Sequence, residues 1–480
     1  MGDTLSLGDS FFLLTESANT PNQVGVLVRL KLPAKAGKTF VADLVQSFRQ
    51  FPVKDAPFNL RLEKGFLSGI SPAWETAPQV DLDYHLRHSA LPYPGGEREL
   101  AILISRLHSI PLDQHRPLWE FHVIEGLEGR SFAIYSKIHH ALIDGVAGAR
   151  MISRWTSKEQ TRVENFAPLW ANPRHSNKAA SKETLGGAQV HNLVEQITNP
   201  LRSAAGVLGA AYATVRGSGS SNLDGLVAPY DCPDTIFNVA VGPQRRVSTV
   251  EFETERLLKI GKALGGTLND VVMAVCGGAL RSYLLERDAL PERPLVAQVP
   301  VSFRAKGDDT GGNAIGMVLA SLGTNQVEPE LRFETVRRSM KAGKTLVGGM
   351  DSSQITAYSA ALTLPFAIGQ MTGIGNRSRR PMFNVVISNV PGPPGPRYLN
   401  GAEVLSIQPI SFVLQGQALN ITLFTYADRI SFVYTACLES LPGVQKMVPH
   451  TEAALAELEA VAQRAAKQRS KAKKRAAPKG

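Results

Sequence analysis

Cysteine is scarce in this chain: Cys232, Cys276 and Cys437 are the only three in 480 residues. They lie far apart, with neither metal-ligand spacing nor a disulfide framework, a sparse odd set that fits a reducing compartment. No Gly-x-Ser-x-Gly elbow is present and no cysteine sits beside a histidine, so a covalent acyl-enzyme has no evident nucleophile. No Gly-x-Gly-x-x-Gly follows a strand-like run. Gly343-Lys344-Thr345 ends like a phosphate loop, but its leading glycine position is Arg338 and its surroundings are helical. The start, Met1-Gly2-Asp3-Thr4-Leu5-Ser6, lacks the basic and apolar regions of a signal peptide. Two weakly charged stretches, 352–376 and 404–427, are broken by Pro and Gly or alternate like paired strands, so neither predicts a spanning helix.

Aromatic residues make up 7% of the chain, and none interleaves its most basic segment. Residues 464–480 carry eight Lys/Arg and no acid, and the net charge of +10 without those eight leaves +2 for the remainder. The basicity is therefore a property of the tail. It is expected to be a solvated, disordered end. Its functional reading is attraction to an anionic membrane or lipid-inclusion surface; nucleic acid is not the expected partner, because no aromatic residue there supports base stacking. Just upstream, Leu455, Leu458 and Val461 share one helix face and predict a closing helix packed on the body.

Apolar periodicity predicts an α/β protein. Strands are expected at Val24–Leu32, Val80–Leu86, Trp119–Gly126 and Phe132–Ile138, the last two pairing across a turn at Leu127–Arg130. Helices are expected at Ala42–Phe51, Gly96–Ser109 and Val146–Trp155. Residues 171–232 form a connector, its first fifty residues rich in Ala, Ser, Asn and Gly and partly helical around Leu193–Ala213. It separates an N-terminal half, 1–170, from a C-terminal half, 233–463, with 464–480 as the tail. The second half is expected to hold strands at Arg246–Glu253, Leu295–Pro300, Met317–Leu322, Phe383–Ser388 and within 404–435. Its helices are Thr254–Leu264, Asn269–Glu286 and Phe333–Leu346. Two α/β halves joined by a linker place a site between them.

The densest chemistry is His139-His140-Ala141-Leu142-Ile143-Asp144-Gly145, where a strand opens into a helix. Neutral imidazole suits proton transfer in both directions near neutral pH. On an extended strand His139 and His140 point to opposite sides, so one faces substrate while the other packs or hydrogen-bonds. Opposed histidines cannot share one metal ion, and no His-Glu-x-x-His is present. Asp144 either orients His140, as in a triad, or braces the strand–helix turn. Gly145 leaves space beside the base. Asn269 is a candidate donor to a developing oxyanion, although Thr267-Leu268-Asn269-Asp270 also reads as a helix cap.

The seven-residue motif resembles the mark of the CoA-dependent acyltransferase superfamily. With Pro117-Leu118-Trp119-Glu120, Asn269-Asp270-Val271-Val272, Pro300-Val301-Ser302-Phe303-Arg304 leading to Gly312-Asn313, and Ser388-Asn389-Val390-Pro391-Gly392-Pro393, it looks like the bacterial wax ester synthase/acyl-CoA:diacylglycerol acyltransferases, from about Leu7 to Ala460. The resemblance implies two chloramphenicol-acetyltransferase-like domains with mixed sheets and a tunnel between them. It implies acyl transfer from a long-chain acyl-CoA to a fatty alcohol or diacylglycerol, with acyl-CoA a substrate and no cofactor or metal. It assigns the base to His140 and a structural role to Asp144, for which Arg304 is a candidate partner. Pro117 and Trp119 are expected either along the acyl path or in ordinary core. Ser388, Asn389, Pro391 and Gly392 form a rigid turn that helps to close the tunnel. The uncharged 352–376 stretch reads as core or as a wall for the acyl chain. The expected setting is cytoplasmic, peripheral to membrane or lipid inclusions. Competing readings are transfer to a small alcohol or amine, and a non-catalytic lipid-surface protein that has kept the fold.

Overall fold

The computed structural model describes residues 3–4, 7–63, 73–143, 145–171, 224–302, 315–350 and 381–476, with five further positions between 354 and 362. Almost all of the expected connector and of the 352–376 stretch lies outside the described residues. So do Phe303-Arg304 and Gly312-Asn313.

The strands are β1 (Asp3–Thr4), β2 (Gln23–Lys31), β3 (Leu60–Leu62), β4 (Ala73–Thr76), β5 (Leu86–Ala90), β6 (Trp119–Leu127), β7 (Ser131–His139), β8 (Arg245–Glu253), β9 (Val296–Ser302), β10 (Ile315–Ser321), β11 (Val385–Pro391), β12 (Tyr398–Leu399), β13 (Ala402–Ile410), β14 (Leu419–Tyr426) and β15 (Arg429–Cys437). The helices are α1 (Leu7–Leu14), α2 (Phe40–Arg49), α3 (Leu82–His85), α4 (Glu97–Ser109), α5 (Gly145–Trp155), α6 (Thr254–Leu264), α7 (Leu268–Leu285), α8 (Pro329–Gly348) and α9 (Met447–Ala476). Gly343-Lys344-Thr345 lies inside α8, as its helical surroundings predict.

Two six-stranded sheets form the frame, in the orders β12-β13-β2-β7-β6-β5 and β10-β9-β11-β14-β15-β8. Both are mixed: β5–β6, β9–β11 and β11–β14 are parallel pairs and the rest antiparallel. The sheets do not divide at the connector. Strands β12 and β13 come from beyond it and join the first sheet beside β2. The ends of β11 and β14 cross over as well, since Val390, Phe424 and Tyr426 pack into the core around α2, β6 and β7.

Alternation on β7 explains how the first sheet is sandwiched. Phe132, Ile134 and Ile138 pack on the α2 side, while Ala133 and Tyr135 face α4. Helix α4 then serves as the seam between the sheets. Its apolar face, Leu100 and Ile104, shares a core with Val247, Ile410 and Val433. Two of its serines satisfy backbone donors of edge strand β8: Ser105 Oγ accepts from Val247 N at 2.9 Å and Ser109 Oγ from Arg245 N at 2.8 Å. An uncovered edge would otherwise expose these donors.

Two local expectations are corrected. Val80–Leu86 is not a strand: Asp81 accepts from the backbone N–H of Asp83 and Tyr84, which folds Leu82–His85 into a helical turn before β5 starts. The basic tail is helical rather than irregular as far as it is described, to Ala476. Helix α9 packs Leu455, Leu458 and Ala462 into the C-terminal core and continues through Ala476, over good helix formers. Arg464, Lys467 and Arg469 on this extension are exposed. No single described helix is long and apolar enough to cross a membrane.

Candidate active site

Strand β7 ends at His139, and the next three residues form a turn. The backbone of the pair is fixed from both sides: His139 N donates to Leu118 O at 3.0 Å and His140 N to Asn22 O at 2.9 Å. The side chains then enter different surroundings, as the strand geometry predicts.

His139 is fully buried. Its Nδ1 accepts the N–H of Ala141 at 3.1 Å, so the neutral ring carries its proton on Nε2. That nitrogen lies 3.5 Å from Glu16 Oε2, close enough for electrostatic attraction but long for a hydrogen bond. Glu16 also accepts from Gln114 Nε2 at 2.7 Å and from Asn22 N at 3.3 Å. His139 is therefore a strut that ties the turn to the segment following α1.

His140 is partly buried, and its ring is held among phenyl rings. Phe12 of α1 lies 4.0 Å away, centroid to centroid, at 36°. Phe412, in the loop after β13, meets it edge-on at 5.4 Å and 81°. The two phenyl rings touch each other at 5.8 Å. His140 thus sits where the start of the chain and a loop some 400 residues later converge on the end of β7.

A buried polar layer supports this convergence. His108, near the end of α4, binds Tyr135 Oη through Nδ1 at 2.7 Å and Ser411 O through Nε2 at 2.9 Å. Burial pushes its pKa down to about 3, against the opposing effect of the Ser411 carbonyl, so it is neutral near pH 7. Nε2 then donates to Ser411, and the Tyr135 hydroxyl donates to Nδ1. Gly25 makes room for that tyrosine, since a Cβ there would fall 2.6 Å from its ring. The end of α4 is fixed by Lys137 Nζ, which donates to Leu107 O and Ile110 O at 3.1 and 2.9 Å. Gln23 Nε2 adds bonds to His108 O and Ile110 O. Lys137 is fully buried and pairs with Glu120 at 3.0 Å. Burial raises the Glu120 pKa, but the His122 ring and Lys137 ammonium outweigh it and hold the carboxyl down to about 2.

Asn269 is the second residue of α7 and does not cap it. Thr267 is the cap, in a reciprocal box with Asp270. The Asn269 amide is left to face Asn389 of β11, whose Nδ2 lies 3.4 Å from Asn269 Oδ1. Two residues singled out separately in the sequence are thus neighbours. Ser388 lies on β11, and Pro391 ends it. Gly392 is required by packing: a Cβ would come 2.4 Å from both the Phe424 ring and Thr425 O. Gly145 opens α5, exposed, and a Cβ there would meet no protein atom within 4 Å. Among the described residues, no contact therefore demands glycine at that position. Pro117 is buried. Trp119 is core: its indole N–H donates to Phe58 O at 2.7 Å and its ring stacks on His85. Asp144 and Arg304 lie outside the described residues, and so does any pairing between them. An open groove beside α2, lined by Phe40, Ser47, Arg162, Phe166 and Asn400, includes none of the residues singled out from the sequence.

Residues 5–272 match the wax ester synthase/diacylglycerol acyltransferase catalytic domain, and residues 311–459 match the WS/DGAT C-terminal domain. The chain belongs to the wax ester synthase/diacylglycerol acyltransferase family. The "Putative diacyglycerol O-acyltransferase Rv3740c" of Mycobacterium tuberculosis is 41% identical over 94% of this chain and 98% of its own length. The O-acyltransferase WSD of Acinetobacter baylyi is 39% identical over 92% of this chain and 94% of its own. The solved wax ester synthase/diacylglycerol acyltransferase of Marinobacter aquaeolei superposes with a TM-score of 0.77 at 34% identity, covering 96% and 99% of the two chains. The first condensation domain of the CDA synthetase shares the fold alone, with a TM-score of 0.54 at 17% identity over 96% of each chain. The family's reaction is acyl transfer from acyl-CoA to an alcohol or diacylglycerol, and this member is an O-acyltransferase.

Glu16, Asn22, His108 and Phe412 were not singled out from the sequence. One signal was legible. Glu120 and His122 recur two apart on one strand and Lys137 interrupts an apolar one, so buried polar groups were to be expected there. Nothing local marks Phe412 as a neighbour of His140.

Proposed function

We propose that this chain joins a long-chain acyl group from acyl-CoA to a fatty alcohol or diacylglycerol by direct attack, with His140 as the general base. The alcohol gives its proton to His140 as its oxygen adds to the thioester carbonyl. The C–S bond then breaks, and the imidazolium returns the proton to the departing CoA sulfur. The products are an ester and CoA thiol, and no enzyme nucleophile is used. The observation that carries this reading is the seating of His140 among apolar rings where the two halves meet. An imidazole there meets a greasy acceptor in a water-poor setting. Asn269 acts on the carbonyl oxygen: its contact with Asn389 occupies the amide oxygen and leaves the NH2 group to donate. On this reading the substrates approach His140 where the strand exchange and the β11–β14 crossover bring elements of the two halves together. For Asp144 we keep the structural role that the resemblance implies, with no part in proton transfer.

Purified protein with palmitoyl-CoA and a thiol reagent tests the acceptor class. Thiol release that depends on hexadecanol or a diacylglycerol supports the reading. Release with only small alcohols or amines replaces it with the small-acceptor alternative, and no release leaves a lipid-binding role.

The α9 extension is proposed to hold the enzyme at an anionic lipid surface, where insoluble acceptor and product reside. Truncation after Gln463 is expected to weaken binding to phosphatidylserine vesicles and leave turnover of dispersed substrates unchanged. Vesicle binding by the intact chain that ignores salt would contradict the electrostatic basis.

A further inference from the structure

Phe12 and Phe412 stand on opposite ends of the chain, and each has its backbone anchored by a buried polar side chain. Asn22 Nδ2 donates to Phe12 O at 2.6 Å, while its own carbonyl takes the His140 N–H. His108 Nε2 donates to Ser411 O, the residue before Phe412, at 2.9 Å. Asn22 and His108 are each at most 1% exposed. Two fully buried polar residues thus fix the carbonyls that aim two phenyl rings at one imidazole. Core packing alone would not need either bond, because rings in an apolar core orient by contact.

A base able to deprotonate an alcohol can also deprotonate water, which is smaller and far more concentrated. We infer that the Phe12–Phe412 pair is the element that selects alcohol over water, and that the site is a latent acyl-CoA hydrolase restrained by these rings. The inference rests on His140 being the base. In the restrained reaction, water gives a proton to His140 and its oxygen bonds to the thioester carbonyl. The C–S bond breaks, and the proton passes to sulfur, giving a free fatty acid and CoA thiol. Phe12 and Phe412, both half-buried, cover part of the imidazole and restrict the approach of water to it, while a long alcohol brings its own apolar chain to the uncovered part. His108 is a positioning residue that acts through Ser411. Excluding water to suppress hydrolysis is a general task of closed transferase sites.

The test follows palmitoyl-CoA with hexadecanol in the intact protein, measuring total thiol, free palmitate and ester separately. Phe412→Ala and Phe12→Ala are each expected to raise the palmitate-to-ester ratio about tenfold or more, whatever happens to total turnover. Phe412→Leu, which keeps apolar bulk, is expected to stay near the parent ratio. His108→Ala is expected to raise the ratio, and His108→Gln, which can still donate to Ser411 O, to restore it. A loss of fold would lower both products together, so the ratio separates the two effects. Should Phe412→Ala fail to fold, Phe12→Ala carries the test. A ratio within twofold of the parent in the Phe12→Ala and Phe412→Ala variants that fold overturns the inference. The pair Phe412→Ala with His140→Ala distinguishes the premises. Loss of the added hydrolysis supports both, and hydrolysis that persists shows the cover to be right and the base assignment wrong.

Discussion

Adjacent histidines differ here through their surroundings. His139 spends Nδ1 on the Ala141 N–H and directs Nε2 toward Glu16, so it holds the turn. His139→Ala is therefore expected to lower the thermal midpoint and reduce turnover only in part. Glu16→Gln, which keeps an oxygen facing His139 Nε2 and the acceptor for Asn22 N, should retain more activity than Glu16→Ala. Equal losses in the two Glu16 variants, measured as kcat at matched folded fraction, would show that charge rather than acceptor geometry matters. Trp119 belongs to the same scale. Buried against Phe58, His85 and Trp170, its replacement by Ala is expected to cost about 3–5 kcal/mol of stability by urea unfolding. A Trp119→Ala variant of parental stability with altered chain-length preference would return it to the acyl path. Part of this was readable in advance: residue types and spacing single out the histidine pair, and the family resemblance, not the spacing, points to His140 between them. What was not readable is its company, since Phe12 and Phe412 reach His140 only through the fold.

Elements explain why the sequence succeeded where it did. Periodicity located most strands and helices because each has one strongly apolar face. It failed at Leu82–His85, where one capping aspartate outweighs alternation. It missed the exchange of β13 into the first sheet, since a strand does not record its neighbour. At the crossover, Gly392→Ala is expected to destabilise the protein by about 1–3 kcal/mol, because the added methyl meets the Phe424 ring and a backbone oxygen. Unchanged unfolding would mean that β11 and β14 separate at little cost. Along α4, replacing Ser105 with Ala should weaken the seam with β8 by leaving the Val247 N–H unpaired. Faster exchange of that amide is the readout.

Over the whole molecule, buried neutral histidines couple folding to acidity. Burial depresses His108 to about 3 and His85 to about 4, the latter against the opposing pull of the Trp119 carbonyl. Unfolding frees each to titrate near 6.5. Their contribution to stability is thus complete above pH 6.5 and is lost progressively as pH falls toward their folded values. The urea midpoint is expected to drop between pH 6.5 and 4. His108→Gln should reduce that slope by up to about 1.4 kcal/mol per pH unit. A slope unchanged by the substitution would mean that His108 is protonated in the folded protein.

The account turns on His140 as the base for alcohol attack. The most direct measurement is ester formation from palmitoyl-CoA and hexadecanol by His140→Ala, alongside a thermal midpoint for the same sample. A fall in kcat of about a hundredfold or more at a near-parental midpoint is the predicted result. Ester formation within tenfold of the parent, in a folded variant, would contradict it.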